Sequence, residues 1–141
     1  MEIGKKQEDV RIFNSRKFFI DKLNIQMNEL KAEIIINAGI RIAQQNLANA
    51  YVLKKGDIDA GSIFVKVDTL DGYSKLFSRN LSYDFMYDKT FIQFQDLYPN
   101  QKIETKNVDN RISKEISIDR DCWVIEIEDK NGINPFENLN C

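Results

Sequence analysis

The stretch Asp119 to Gly132, DRDCWVIEIEDKNG, constrains this chain more than any other. Trp123, Ile125 and Ile127 alternate with Val124, Glu126 and Glu128, the period of two that a β-strand imposes on its faces. Lys130-Asn131-Gly132 reads as the turn leading out. A chain holding such a strand must supply a sheet for it and an apolar cover for the Trp123 face.

Candidate partners for that strand lie upstream. Tyr51 to Lys54 and Ile63 to Val67 read as strands; in the second, Ile63, Val65 and Val67 share one face, Phe64 and Lys66 the other. Asp71-Gly72 is a hairpin turn signal, after which Tyr73 to Ser78 returns antiparallel. Phe91 to Phe94 reads as a shorter strand reached through the irregular, aromatic SYDFMYDK, and LYPNQKIETK, with Pro99 and Asn100, reads as a loop. In LKAEIIIN, Leu30 to Asn37, three consecutive isoleucines favour a strand because branched side chains suit a pleated surface. Asn37 then caps a helix carrying Ala38, Ile40, Ile42, Ala43 and Leu47. A single helix from 30 to 48 is the competing reading. Residues 107 to 117 suit a second helix, with Val108, Ile112 and Ile116 turned coreward. The expected fold is α+β: a mostly antiparallel sheet of about five strands packed against two helices on one face, in the order β-α-β-β-β-β-α-β.

A chain of 141 residues is one domain by size. That domain is expected over residues 27 to 136, with 137 to 141, and the tail INPFENLNC generally, loosely ordered. Residues 1 to 26 read as an appendage. They carry six basic residues against four acidic ones, and Val10, Ile12, Phe13, Phe18, Phe19, Ile20 and Leu23 allow an amphipathic helix. Partial disorder is the other reading of this appendage, and because Met27 stands directly before the first clean element, an upstream extension of the natural start is the alternative to an appendage.

The composition removes several chemistries. There is no histidine, so Ser-His-Asp and Cys-His catalysis, imidazole metal sites and histidine switches are out. Cys122 and Cys141 are too few and too far apart for a CxxC site or a disulfide framework, and Cys122 reads as a buried reduced thiol. A net charge of −2 and a pI near 5.3 argue against a general nucleic-acid binder. No apolar run approaches the roughly 18 residues of a membrane span, and RKFFI, Arg16 to Ile20, is too short for a secretory signal. The expected compartment is the cytoplasm.

Three groups of side chains remain as candidate sites. Asp57 and Asp59, in GDIDAGSIFVKV, could hold a hard cation, but a calcium loop needs about five oxygen ligands within twelve residues and the following positions supply no carboxylate. The favoured reading is a Gly-Asp connection whose aspartates bond local amides. Glu126 and Glu128 share a strand face roughly 7 Å apart. Glycoside chemistry works at separations of about 5 to 9.5 Å, yet alternating glutamates are the usual pattern of a solvated or lysine-paired face. Tyr83, Phe85 and Tyr87, at period two within an aromatic group that continues with Phe91, Phe94 and Tyr98, could form an exposed patch that recruits a partner or a second copy; equally, the group could cap an open end of the core. RNA stacking through these rings would have only Arg79 and Lys89 in support. No catalytic residue, metal site or cofactor is expected. The leading reading is a non-enzymatic interaction module that binds a protein partner or itself. The alternative is a small-ligand or divalent-cation site, hydrolytic in one version, built from Asp57, Asp59, Glu126 and Glu128 if the 56–62 loop folds over the end of the last strand.

LKAEIII, KKGDIDAGSIFVKVDTLDG and DRDCWVIEIEDKNG together resemble the small alphaproteobacterial domain of unknown function numbered 1491. Its chains run Leu-Lys-Ala, then Arg-Gly-Asp-x-Asp-Ala-Gly, then Asp-Pro-Asp-Leu-Trp-Val-Val-Glu-Ile-Glu-Asp. The resemblance covers about residues 28 to 136 with all three blocks in order. Lys55 replaces an arginine, Arg120 a proline, and Lys114-Glu115 an Arg-Gln; residues 1 to 26 have no counterpart. The resemblance implies a cytoplasmic bacterial domain and brings no catalytic or cofactor residues to transfer.

Overall fold

The computed structural model describes residues 31–59 and 62–139, with backbone alone at 80–84, 89–92 and 138–139. The expected appendage at 1 to 26 lies outside the described residues. The first element is a helix, α1 (Ala32–Gln45), so the strand expected over Leu30 to Asn37 is replaced by the competing single helix. Ala32, Ile35, Ile36, Gly39 and Ala43 are its buried positions. Their spacing of three and four makes one helical stripe, and burial along it outweighs the β preference of three isoleucines. Past its Asn46 cap the helix is closed off by Leu47, in the left-handed region at φ 59°, and the Ala48 amide reaches back to the Ala43 carbonyl at 2.9 Å.

Then follow β1 (Asn49–Lys54), β2 (Ile63–Asp68), β3 (Tyr73–Asp84), β4 (Lys89–Asp96), β5 (Ile103–Glu104), α2 (Thr105–Ile118), β6 (Trp123–Glu128) and a 3₁₀ turn at Pro135–Leu139. The Asp71-Gly72 turn forms as expected, with Gly72 at φ 91°, a conformation that costs glycine little. The α+β class holds, with the element order α-β-β-β-β-β-α-β in place of the expected one. Sheet order is β1-β6-β2-β3-β4, with β5 beside β3. Thus β6 is inserted between β1 and β2, antiparallel to the first and parallel to the second. The sheet is therefore mixed, although its other pairings are antiparallel.

The two helices do not share a face. One core holds Ile35, Ile36 and Ala43 of α1 with Ile63, Val65, Val67, Trp123, Ile125 and Ile127. The other holds Val108 and Ile112 of α2 with Phe64, Leu76, Cys122 and Val124. Odd and even positions of β2 and β6 thus feed opposite cores, and the central strands are buried on both sides. The tail is not loose at its start. Phe136 is fully buried, its ring centroid 5.2 Å from that of Phe94. A Cβ at Gly39 would stand 2.3 Å from the Phe136 ring, so the ring lies in a notch that only glycine leaves open.

Candidate functional site

The acidic loop connects strands and caps a helix. The Asp57 carboxylate accepts the Asp59 amide at 2.7 Å, the local closure expected of a Gly-Asp connection. Past it, the carbonyls of Asp59 and Ile58 each accept an α1 amide, from Ala32 and Glu33, at 3.3 Å. These are donors that a helix start leaves without partners inside the helix. The Trp123 indole N–H donates to the Asp57 carbonyl at 2.7 Å, and the Asp57 amide donates to the Asp121 carbonyl at 2.9 Å. Gly56 permits this approach, since a Cβ there would stand 2.1 Å from the Asp121 carbonyl oxygen. The Lys54 ammonium donates to the carbonyls of Arg120 and Cys122, the latter at 2.9 Å. Asp59 also pairs with Lys31 at 3.2 Å, both well exposed.

Glu126 and Glu128 are elsewhere. The loop meets β6 at Trp123, and at a strand's rise Glu126 lies about 10 Å farther along and Glu128 about 17 Å. Both glutamates also sit on the α2 face, whereas the loop is tied to the start of α1. The four carboxylates are not brought together, and among the described residues no three Asp, Glu, Cys or His side chains are grouped to hold a metal ion.

Glu126 instead belongs to an ion triad. Lys66, only 5% exposed, lies beside Glu126 in the parallel β2–β6 register. Its ammonium is 3.1 Å from Glu126 and 2.7 Å from Asp109 of α2. Burial pushes the ammonium toward losing its proton, and the hydrogen bonds and charges of Asp109 and Glu126 outweigh that and hold its pKa above the ordinary value. The triad joins strand, strand and helix. Reading Lys66 as one polar position on a half-open face missed it; the signal was a lone lysine inside the apolar run IFVKV. Glu128 accepts a long hydrogen bond of 3.5 Å from the Asn49 side chain.

The aromatic segment is a hairpin. The irregular segment expected at 82 to 89 is instead the end of β3, a turn and the start of β4, with Tyr83 paired to Thr90 and Asp84 to Lys89. Since β3 stops at Asp84, Phe85 and Tyr87 are turn residues and do not share a strand face with Tyr83, whose side chain lies outside those described. Phe85 is 89% exposed, Met86 87% and Tyr87 68%. Ser78 is the last β3 residue paired with β2, so among the described residues the β3–β4 ladder runs on from Arg79 to Asp84 as a two-stranded arm. At the rise of an antiparallel strand the arm is about 20 Å long. Phe94, by contrast, is buried, and Tyr98 receives a hydrogen bond from Arg111 at 3.3 Å.

Comparison with known proteins places this geometry. The family described as "Protein of unknown function (DUF1491)" matches residues 30–137. A crystal structure of a DUF1491 family protein from Caulobacter crescentus CB15 is 32% identical, covers 76% of this chain and 92% of its own, and superposes with a TM-score of 0.59. The solution structure of protein Atu0922 from A. tumefaciens is 28% identical, covers 71% and 86% respectively, and gives a TM-score of 0.57. No curated protein matches the chain. Among the described residues no helix is long and apolar enough to cross a membrane.

Proposed function

The chain belongs to the DUF1491 family of proteins of unknown function, and on that footing we propose that it is a non-enzymatic module that self-associates through the β3–β4 arm. One observation carries this reading: three consecutive large apolar side chains, Phe85, Met86 and Tyr87, keep most of their surface exposed at the arm's tip. Large exposed apolar groups gathered at one point mark an interaction surface more reliably than scattered ones do. The arm itself supports the same reading, because a two-stranded ribbon alone in water is marginal and gains from packing against something.

A second copy is the occupant we favour. The tip offers roughly 500 Å² per copy, since aromatic side chains bury about 150–250 Å² each. That falls short of the approximately 800 Å² per partner of a standard interface. Two arms laid antiparallel about a twofold axis would bury each tip on the other's ribbon and make up the difference with the same surface on both copies.

Size-exclusion chromatography with light scattering, on the full chain across a concentration series, tests this. A dimer that Phe85→Asp or Tyr87→Asp converts to a monomer of unchanged circular dichroism is the expected result. A monomer at high concentration, or a dimer indifferent to both substitutions, refutes it. Capture of a different protein that both substitutions abolish would move the same surface to a heterologous partner and end the self-association reading.

A further inference from the structure

At the end of the sheet away from the acidic loop, the parallel strands β2 and β6 both finish, β2 running into the Thr69 to Tyr73 turn and β6 into Lys130. Beside this end, lined by the β2–β3 turn, the start of β3 and the loop before β5, lies a cleft of about 180 Å³, where Lys75, Lys102 and Lys130 meet Thr69, Asp71 and Tyr73. Three elements contribute one lysine each: β3, the loop before β5, and the turn after β6.

Two of the three lysines are held in place by packing. The Lys102 ammonium lies 4.8 Å from the centre of the Tyr73 ring, a cation–π contact that positions the charge without neutralising it. Lys75 passes over Gly132, where a Cβ would come within 2.9 Å of its Cε and 3.0 Å of its Nζ, so the glycine clears its path. Among the described residues none of the three ammoniums is within ion-pair distance of a carboxylate. Asp71 is the acidic member of the lining, and its carboxylate is engaged by the Thr69 hydroxyl at 2.5 Å and the Tyr73 amide at 3.2 Å. Three positive charges against one negative leave the cleft with a surplus of two. Like charges gathered in this way repel one another, and a dianion between them relieves that repulsion.

We propose that this cleft binds a phosphate-class dianion, as the free ion or as the phosphoryl group of a small phosphomonoester. The volume leaves room beside a phosphoryl group for a compact organic portion, and Thr69 contributes a hydroxyl to the lining. Three lysine ammoniums act as point charges without a planar fork, which favours a compact, freely rotating anion over a planar carboxylate that arginine would grip bidentately. This site is separate from the arm and does not depend on self-association.

Titrating the ¹⁵N-labelled full chain at low salt with inorganic phosphate, and separately with glycerol phosphate, reads the site directly. Saturable amide shifts confined to residues 69–75, 101–102 and 130–132 are expected, and they weaken as salt rises. Lys75→Gln, Lys102→Gln and Lys130→Gln should each weaken binding several-fold. Asp71→Asn should strengthen it, because it removes the opposing charge and keeps an acceptor for Thr69. Equal affinity for the two probes identifies the free ion as sufficient, whereas tighter glycerol phosphate binding assigns a role to the organic portion. Shifts that do not saturate, that scatter over every surface lysine, or that persist unchanged in the triple Lys→Gln variant overturn the proposal.

Discussion

Replacing Lys66 tests the ion triad that joins β2, β6 and α2. Lys66→Met keeps the aliphatic stem, so the loss isolates the charge. Glu126, largely covered, is then left without its cation, and an unsatisfied buried acceptor costs about 1–3 kcal/mol. Asp109 is about half exposed and turns to water, adding little. Lys66→Ala also removes about three buried methylenes at roughly 0.8 kcal/mol each, for a total loss of roughly 3–5 kcal/mol. Glu126→Gln alone should cost about 1 kcal/mol, since Asp109 still faces the ammonium. The double variant Lys66→Met/Glu126→Gln should then cost less than the sum of the singles by about 1 kcal/mol or more, as expected for residues in contact. Urea denaturation at neutral pH with an unchanged m value reads all four. The pH profile carries a further signature. Because the folded-state pKa of Lys66 is raised above its ordinary 10.5, the triad's contribution is complete below that value and drains away as pH climbs through the folded one. The gap between the native chain and Lys66→Met should therefore narrow on the alkaline side. If Lys66→Met stays within about 0.5 kcal/mol of the native chain and is additive with Glu126→Gln, the buried ion triad is wrong.

Two further outcomes follow from the packing. Gly39→Ala drives a methyl into the Phe136 ring and should cost about 1–3 kcal/mol by overpacking; thermal melts should show Phe136→Leu relieving part of that loss, and strict additivity would refute the notch. Burial pushes the Cys122 thiol up in pKa, so in a Cys141→Ser background it should react with a disulfide reagent only as fast as the protein unfolds. Labelling within the mixing time would contradict that placement.

What could be read from the sequence was whatever local periodicity decides. The Trp123, Ile125, Ile127 alternation, the Asp71-Gly72 turn and the second helix rest on neighbours a few residues apart, and each stands where expected. The first helix was misread because three isoleucines vote for a strand locally, while the Ala32, Ile35, Ile36, Gly39, Ala43 stripe wins only once a sheet exists to bury it. The parallel β2–β6 pair joins segments some sixty residues apart in the chain, which no short-range pattern encodes. Placing both helices on one face overlooked Phe64, Cys122 and Val124, apolar side chains on the face assigned to solvent. Among the candidate site residues, the bonding of Asp57 to a local amide was legible from turn chemistry. The fate of Glu126 was not, because its partner Lys66 is recognisable only when the two strands lie side by side.

The insertion of β6 between β1 and β2 has a consequence for the chain's birth. A ribosome that has released everything up to the end of α2 has made the outer staves of the sheet and not the plank that joins them. Until Trp123 to Glu128 arrive, β1 and the β2–β3–β4 meander each present a bare hydrogen-bonding flank and uncovered apolar side chains, the state in which nascent sheets stick to one another. Such distant closure also makes folding slow relative to local meanders. Closing this sheet waits for β6, and a fragment cut short of it keeps both flanks bare.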